Sequence, residues 1–348
     1  MITDPLFLEM NNFRFCNLRC SYCSPNGEKK FLKSSFDNKL FLKQTKSIIQ
    51  TIGEKYYFPT LKYSGNGEIS LLSNFSQLLS KDRKNIVITN GTGSNKFYSS
   101  LLEMKKDGYE IVIQLSLDGH THQMNCLRFY HNKIIQKKII TNLKCFLENG
   151  FSVEVNIVLH RYNVLFLRMF TLWLDSLVKK TKGLIKLIPF PVRAFRNNDI
   201  EKFYPELDEM NALIEFLINP QIQYQKILPP QGYLTALANF LLNGKRQYTC
   251  SVPDFGLFVD SNFSLQWCAC GGKREYGNLL KDGNKALEKR ASFKFLGLEK
   301  NCAKCFNHYE LLNLYLDNKL ETEEMIRMPS FELQERYLKI IKETYDKQ

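Results

Sequence analysis

Short runs rich in β-branched and aromatic residues recur along the first half of this chain, at 6–15, 57–65, 85–91, 109–119, 151–160 and 183–192. Between them lie stretches with helical spacing, at about 38–52, 70–80, 94–107, 132–149 and 164–180. This alternation leaves few folds open. Each helix carries the chain back across the sheet, so successive strands run parallel, in a sheet that is open or curled toward a barrel. In such sheets, functional groups gather at the carboxyl ends of the strands. The distinctive motifs fall at those ends: Cys16–Cys23, Gly65–Glu68, Asn90–Gly91 and Ser116–Gly119.

The pattern changes after residue 193. A loop and a helix follow, and then "GLFVDSNFSLQW" (256–267) reads as a hairpin turning at Asp260, Ser261 and Asn262. The tail "PSFELQERYLKIIKETYDK" predicts a helix starting at Pro329–Ser330, with Leu333, Tyr337 and Ile341 on one face. The expected organisation is a core over 1–193, a helical connector over 194–244, a small cysteine-bearing module over 245–310 and C-terminal helices over 311–348.

With 348 residues, 44% hydrophobic and 13% aromatic, the chain is able to bury a large core. Its first fifteen residues hold Asp4 and Glu9 and lack the basic and apolar regions of a secretory signal. The most apolar stretch, 164–178, is broken by Arg168 and Asp175, so no membrane span is expected. These features predict a soluble, cytoplasmic protein. The net charge of +13 comes from scattered lysines and forms no phosphate-tracking stripe, so nucleic acid is not the expected partner.

Ten cysteines in a reduced compartment point to metal or redox chemistry. Cys16, Cys20 and Cys23 lie within eight residues as C-x3-C-x2-C. Three thiolates in one loop suit three irons of a cubane cluster and leave the fourth iron open. The competing reading is a structural zinc completed by a distant residue; zinc, however, prefers paired cysteines, and His is scarce, with five in all. Cys250, Cys268, Cys302 and Cys305 form a second set, C-x17-C-x33-C-x2-C, which is open to an iron–sulfur cluster or a zinc ion. Cys145, in a helix-like run, reads as a small buried hydrophobe.

The first motif, with Tyr22 just before its last cysteine, resembles the signature of the radical S-adenosylmethionine superfamily. The resemblance implies an α/β fold, a partial (β/α)6 TIM-like barrel with its cluster in the loop after the first strand. It also implies S-adenosylmethionine on the open iron, cleaved to a 5′-deoxyadenosyl radical. Tyr22 would lie near the adenine. "YSGNGEISLL" resembles the stretch that holds the methionine ammonium, through Gly65, Gly67 and Glu68, although Ile69 stands where the family has Pro. "ITNG" places Asn90 near the ribose. "LSLDG" and the residues after it resemble a subset with auxiliary clusters, in which Ser116 contacts the cofactor and Arg128 pairs with its carboxylate.

The second cysteine set resembles the twitch module, the short form of the SPASM domain, with one fully protein-bound auxiliary [4Fe–4S] cluster. The cofactors so implied are two [4Fe–4S] clusters and S-adenosylmethionine. Cys270 is left over: it is idle, replaces Cys268, or donates hydrogen to a substrate radical, in that order. Cys126 is a second candidate donor.

The expected function is hydrogen abstraction from a small polar substrate (a sugar, aminocyclitol or nucleotide) with net oxidation through the auxiliary cluster. Flavodoxin or ferredoxin would supply electrons. An alternative is modification or epimerisation of a ribosomally made peptide; the first strand begins near Met1, so a leader-binding domain would come from a separate partner. An alternative of another class is a non-catalytic zinc or iron–sulfur protein that binds nucleic acid.

Overall fold

The structure, a computed structural model, describes residues 4–23, 36–64, 67–129, 132–192, 198–268, 275–292, 303–307 and 309–346. Side-chain alternation within the strands sets its plan. In β5 (Ser152–Leu159), Val153, Val155 and Ile157 face one way, while Glu154 and Asn156 face the other, and all five are buried. A strand buried on both faces belongs inside a parallel sheet covered by helices.

The strands β1 (Phe7–Met10), β2 (Thr60–Tyr63), β3 (Lys84–Thr89), β4 (Ile111–Ser116), β5 and β6 (Ile185–Pro191) pair in parallel and in sequence order. This is the expected partial barrel. Helices α1 (Asn38–Lys55), α2 (Asn95–Lys106), α4 (Lys133–Glu148) and α5 (Leu167–Val178) make the crossovers, and a short α3 (Cys126–Phe129) precedes α4. In α1, Phe41, Leu42, Thr45, Ile48 and Ile52 form the buried stripe, and the Asp37 carboxylate caps its start by accepting from the Leu40 amide at 2.8 Å.

The chain after β6 continues this sheet. After α6 (Leu207–Ile218), α7 (Gln231–Asn243) and α8 (Val252–Phe255), β7 (Gly256–Val259) pairs in parallel with β1, and Leu8 lies opposite Leu257. β8 (Ser264–Gln266) turns back antiparallel to β7, as the hairpin reading predicts, and β9 (Glu275–Asn278) follows it. The nine strands run in the order β6-β5-β4-β3-β2-β1-β7-β8-β9.

Inside the barrel, several inward residues are polar and meet one another. Glu9 faces Lys62 at 3.7 Å and accepts from the Ser64 hydroxyl. The C-terminal segment closes one end of the barrel. The Ser330 amide and hydroxyl donate to Glu154 at 2.7 and 2.6 Å, and Gln334 donates to Thr60. Lys84 donates to the carbonyls of Pro329 and Glu332.

Two readings are corrected here. Over 70–80 there is no long helix, only 3₁₀ turns at Ile69–Leu71 and Phe75–Leu78, because Asn74 between them adopts a left-handed φ of 58°. The terminal helix, α9 (Glu335–Asp346), starts later than Pro329–Ser330, since Ser330 is committed to Glu154. Leu333 is 81% exposed at a φ of 61°, and Leu338 takes its place in the buried stripe with Ile341. Ser330→Ala is expected to cost about 1–3 kcal/mol, the cost of leaving a buried charged acceptor short of a donor. Urea unfolding would show this as a lower midpoint at unchanged slope.

Candidate active site

The cysteine loop leaves β1 at its carboxyl end. Its entry is fixed by the Asn11 amide on the Val259 carbonyl at 2.8 Å and by the Asn12 side chain on Thr45 Oγ1 at 2.9 Å. Phe13 and Phe15 pack edge-on at 5.4 Å between centroids, and Phe13 packs against Phe41 of α1 at 5.7 Å. Cys16 and Cys20 are buried, and Cys23 is more open. The Cys23 amide closes a turn on the Cys20 carbonyl at 3.0 Å. The Leu18 amide lies 3.4 Å from Cys16 Sγ and the Asn90 side-chain amide lies 4.0 Å from it.

Neighbouring strand ends converge on this loop. Gly67 lies against the backbone that leads into Cys16: a Cβ there would stand 2.3 Å from the Phe15 carbonyl oxygen. The Glu68 amide donates to that same oxygen at 2.6 Å. Gly67→Ala is therefore expected to force the two backbones apart, at about 1–3 kcal/mol, again read from the urea midpoint. Glu68 is buried; its carboxylate accepts from the Ser70 amide at 3.0 Å, Thr89 Oγ1 at 2.6 Å and the Asn90 amide at 2.6 Å. Burial pushes its carboxyl above the usual range, and these hydrogen bonds offset part of that rise. Asn90 accepts from Thr92 and donates to Asn17 at 3.0 Å, which ties the end of β3 to the cysteine loop.

Ser116 ends β4, in register with Asn156 of β5. Asn156 Oδ1, on the inner face, is buried without a hydrogen-bond partner. Arg128, in α3, is buried and holds Asp118 through Nη2 and Nε at 2.8 and 3.2 Å. The Tyr22 hydroxyl donates to the same carboxylate, and His160 Nε2 stands 3.8 Å from it. Burial opposes the Asp118 charge, but Arg128 and His160 outweigh it and hold this carboxyl well below the usual range. Burial also pushes the Tyr22 phenol up, and the Asp118 charge adds to that.

Cys126 opens α3, and burial raises its thiol. The next residue's carbonyl, at Leu127, accepts from the Ser21 amide at 2.7 Å, so Cys126 borders the cysteine loop. Gly65 lies outside the described residues, as do Cys270 and Cys302. Sequence reasoning missed Asp118, His160 and Asn17.

In the second set, Cys250 and Cys305 both lie near Arg246. Asn313 Nδ2 lies 3.8 Å from Cys250 Sγ, and Asn307 Nδ2 lies 3.2 Å from Cys305 Sγ. Arg246 is paired with Glu310 at 3.1 Å, both side chains 1% exposed. Cys268 follows β8 and is partly buried. Among the described residues, no group of three or more His, Cys, Asp or Glu is placed to hold a single metal ion. Cluster ligands bond to different irons and need not converge on one point.

No protein-family model and no curated protein matches this chain. Solved structures do. Streptococcus suis SuiB bound to precursor peptide SuiA aligns over 87% of this chain and 70% of its own, at 17% identity and a TM-score of 0.58. SuiB bound to S-adenosylmethionine aligns with a TM-score of 0.57 at 16% identity, over 87% and 69% of the two chains. A tagged anSMEcpe with bound AdoMet aligns over 98% of this chain and 96% of its own, at 17% identity and a TM-score of 0.56. At these identities the likeness establishes a shared fold. Among the described residues no helix is long and apolar enough to cross a membrane.

Proposed function

We propose that this chain is a radical S-adenosylmethionine enzyme. The observation that carries the reading is one of placement: a three-thiol loop shares one end of the barrel with Gly67, Glu68, Asn90, Ser116 and Arg128. The donor set fits the group. Two of the thiols are buried, and amide N–H groups lie near Cys16 Sγ, as thiolate ligands require. Asn156 Oδ1 also offers an unanswered buried acceptor beside Ser116. When bound, a cubane with one open iron supplies the electron that splits the cofactor's sulfonium into methionine and a 5′-deoxyadenosyl radical.

The protein's own part is binding and enclosure. Cys16, Cys20 and Cys23 hold the cluster. Glu68, at the end of the loop after β2, takes the cofactor's ammonium, which would favour its charged form. Asn90 faces the ribose and Arg128 takes the carboxylate. Tyr22 has its phenol on Asp118 and its ring 5.5 Å from the Arg128 guanidinium, so it bounds the adenine side by its backbone and ring. A primary carbon radical attacks whatever is nearest, so the buried walls that exclude water are part of the chemistry.

Cys250, Cys268, Cys302 and Cys305 would hold an auxiliary cluster, which would supply a one-electron acceptor and make the net reaction on a small polar substrate an oxidation. Flavodoxin or ferredoxin is the donor. A second reading is modification of a peptide; it is favoured by the SuiB structure with precursor peptide SuiA and by anSMEcpe with AdoMet and the Cp18Cys peptide, at a TM-score of 0.54. Anaerobic reconstitution followed by incubation with S-adenosylmethionine and a reductant tests the core claim. Deoxyadenosine and about eight irons per chain support it; about four irons leave only the first cluster. Zinc alone, or no deoxyadenosine, overturns it. Deuterium transfer from labelled small molecules or peptides into deoxyadenosine then separates the substrate readings.

A further inference from the structure

Asp118 is a fully buried carboxylate where four segments meet. Its Oδ1 accepts from Arg128 Nη2 at 2.8 Å and from the Val158 amide of β5 at 3.1 Å. Its Oδ2 accepts from Arg128 Nε at 3.2 Å and from the Tyr22 hydroxyl of the cysteine loop. Its own amide donates to Asn125 Oδ1 at 2.9 Å, and Asn125 in turn donates to the carbonyls of Gly119 and Thr121, both at 2.7 Å. Apart from Arg128, the carboxylate is held by the Val158 amide on Oδ1 and the Tyr22 hydroxyl on Oδ2, and Asn125 holds the backbone beneath it. It engages the guanidinium along the edge formed by Nε and Nη2, and the opposite edge carries Nη1.

We propose that Asp118 is a positioning residue: it locks the Arg128 guanidinium in the orientation that receives the carboxylate of S-adenosylmethionine, and through Tyr22 it links that clamp to the cysteine loop. This rests on the functional reading above. A guanidinium is a planar fork that grips two carboxylates at once only if they approach different edges. An arginine held along one edge offers the other without losing side-chain freedom on binding. A purely electrostatic role has the opposite sign: Asp118 would then dilute the positive field of Arg128, and its removal would tighten the grip on an anion.

The test compares S-adenosylmethionine with its decarboxylated analogue, which keeps the nucleoside, sulfonium and amine. Affinities are measured by anaerobic titration calorimetry on the reconstituted protein, so no turnover is needed. The wild type is expected to prefer S-adenosylmethionine, and Asp118→Asn to reduce that preference at least about tenfold, mainly by weaker binding of the carboxylate-bearing ligand. A preference that is unchanged or increased overturns the proposal, as does equal loss of both ligands, the mark of a merely structural residue. If Asp118→Asn does not fold, Arg128→Met and the double variant Asp118→Asn/Arg128→Met carry the test. They should show the same preference, since Asp118 acts through Arg128; a further loss in the double variant contradicts this. A wild type that binds both ligands equally overturns the clamp alone. A wild type that binds neither overturns the functional reading and the clamp together.

Discussion

Cys20→Ala is expected to lower deoxyadenosine formation from S-adenosylmethionine more than about 100-fold, since removing even the partners behind a metal ligand costs 10–100-fold. Cys20 is buried in the cysteine loop, where the Cys23 amide turns back on its carbonyl at 3.0 Å. The side chain is small and already inside, so the apoprotein should unfold at nearly the wild-type urea midpoint. Iron analysis should show about four irons lost. Deoxyadenosine at the wild-type rate would mean that Cys20 is not a ligand and that the open-iron reading is wrong. Cys302→Ala should behave differently: some uncoupled cleavage of the cofactor persists, while substrate turnover is lost.

The sequence was most readable where local chemistry repeats. Period-two alternation in "SVEVNI" is the alternation the sheet shows, with Val153, Val155 and Ile157 outward and Glu154 and Asn156 inward. The hairpin was legible because Asp260 accepts from the Asn262 and Ser264 amides at 2.8 and 2.9 Å, a turn that a short acidic side chain makes locally. What was not legible depends on partners far along the chain. Nothing near Ser330 announces that it will be held by Glu154, 176 residues earlier. That bond carries the chain into the barrel and postpones the last helix. Nor does the hairpin's own pattern say that β7 will pair with β1, because a strand edge selects its partner by position and not by residue type.

The site divides in the same way. Cys16, Cys20, Cys23, Gly67 and Glu68 were visible as spacing within short segments. Asn17, Asp118 and His160 were not, because each is defined by contacts across strands: Asn17 with Asn90 and Thr92, and Asp118 with Tyr22, Arg128 and the Val158 amide. A single Asp after a strand is ordinarily a turn residue, and only the fold reveals that this one is buried among donors.

The buried pair beside the second cysteine set gives the largest expected change in stability. Arg246 Nη1 lies 3.1 and 3.4 Å from the two oxygens of Glu310, and both side chains are 1% exposed. Burial works against the guanidinium's charge, but the neighbouring Glu310 carboxylate outweighs it, so Arg246 stays firmly protonated. Glu310→Ala leaves that cation without its carboxylate and is expected to cost about 3–5 kcal/mol in the apoprotein, whereas replacing both residues, as in Arg246→Met with Glu310→Leu, should recover most of it. Cluster binding changes the arithmetic. Thiolates at Cys250 and Cys305 would give Arg246 a second anionic neighbour, so the cost of Glu310→Ala should be smaller in the reconstituted protein than in the apoprotein. Urea midpoints of both forms, measured anaerobically, decide it. An equal cost in the two forms would place the anionic sulfurs elsewhere, and the assignment of Cys250 and Cys305 as ligands of one auxiliary cluster would fall.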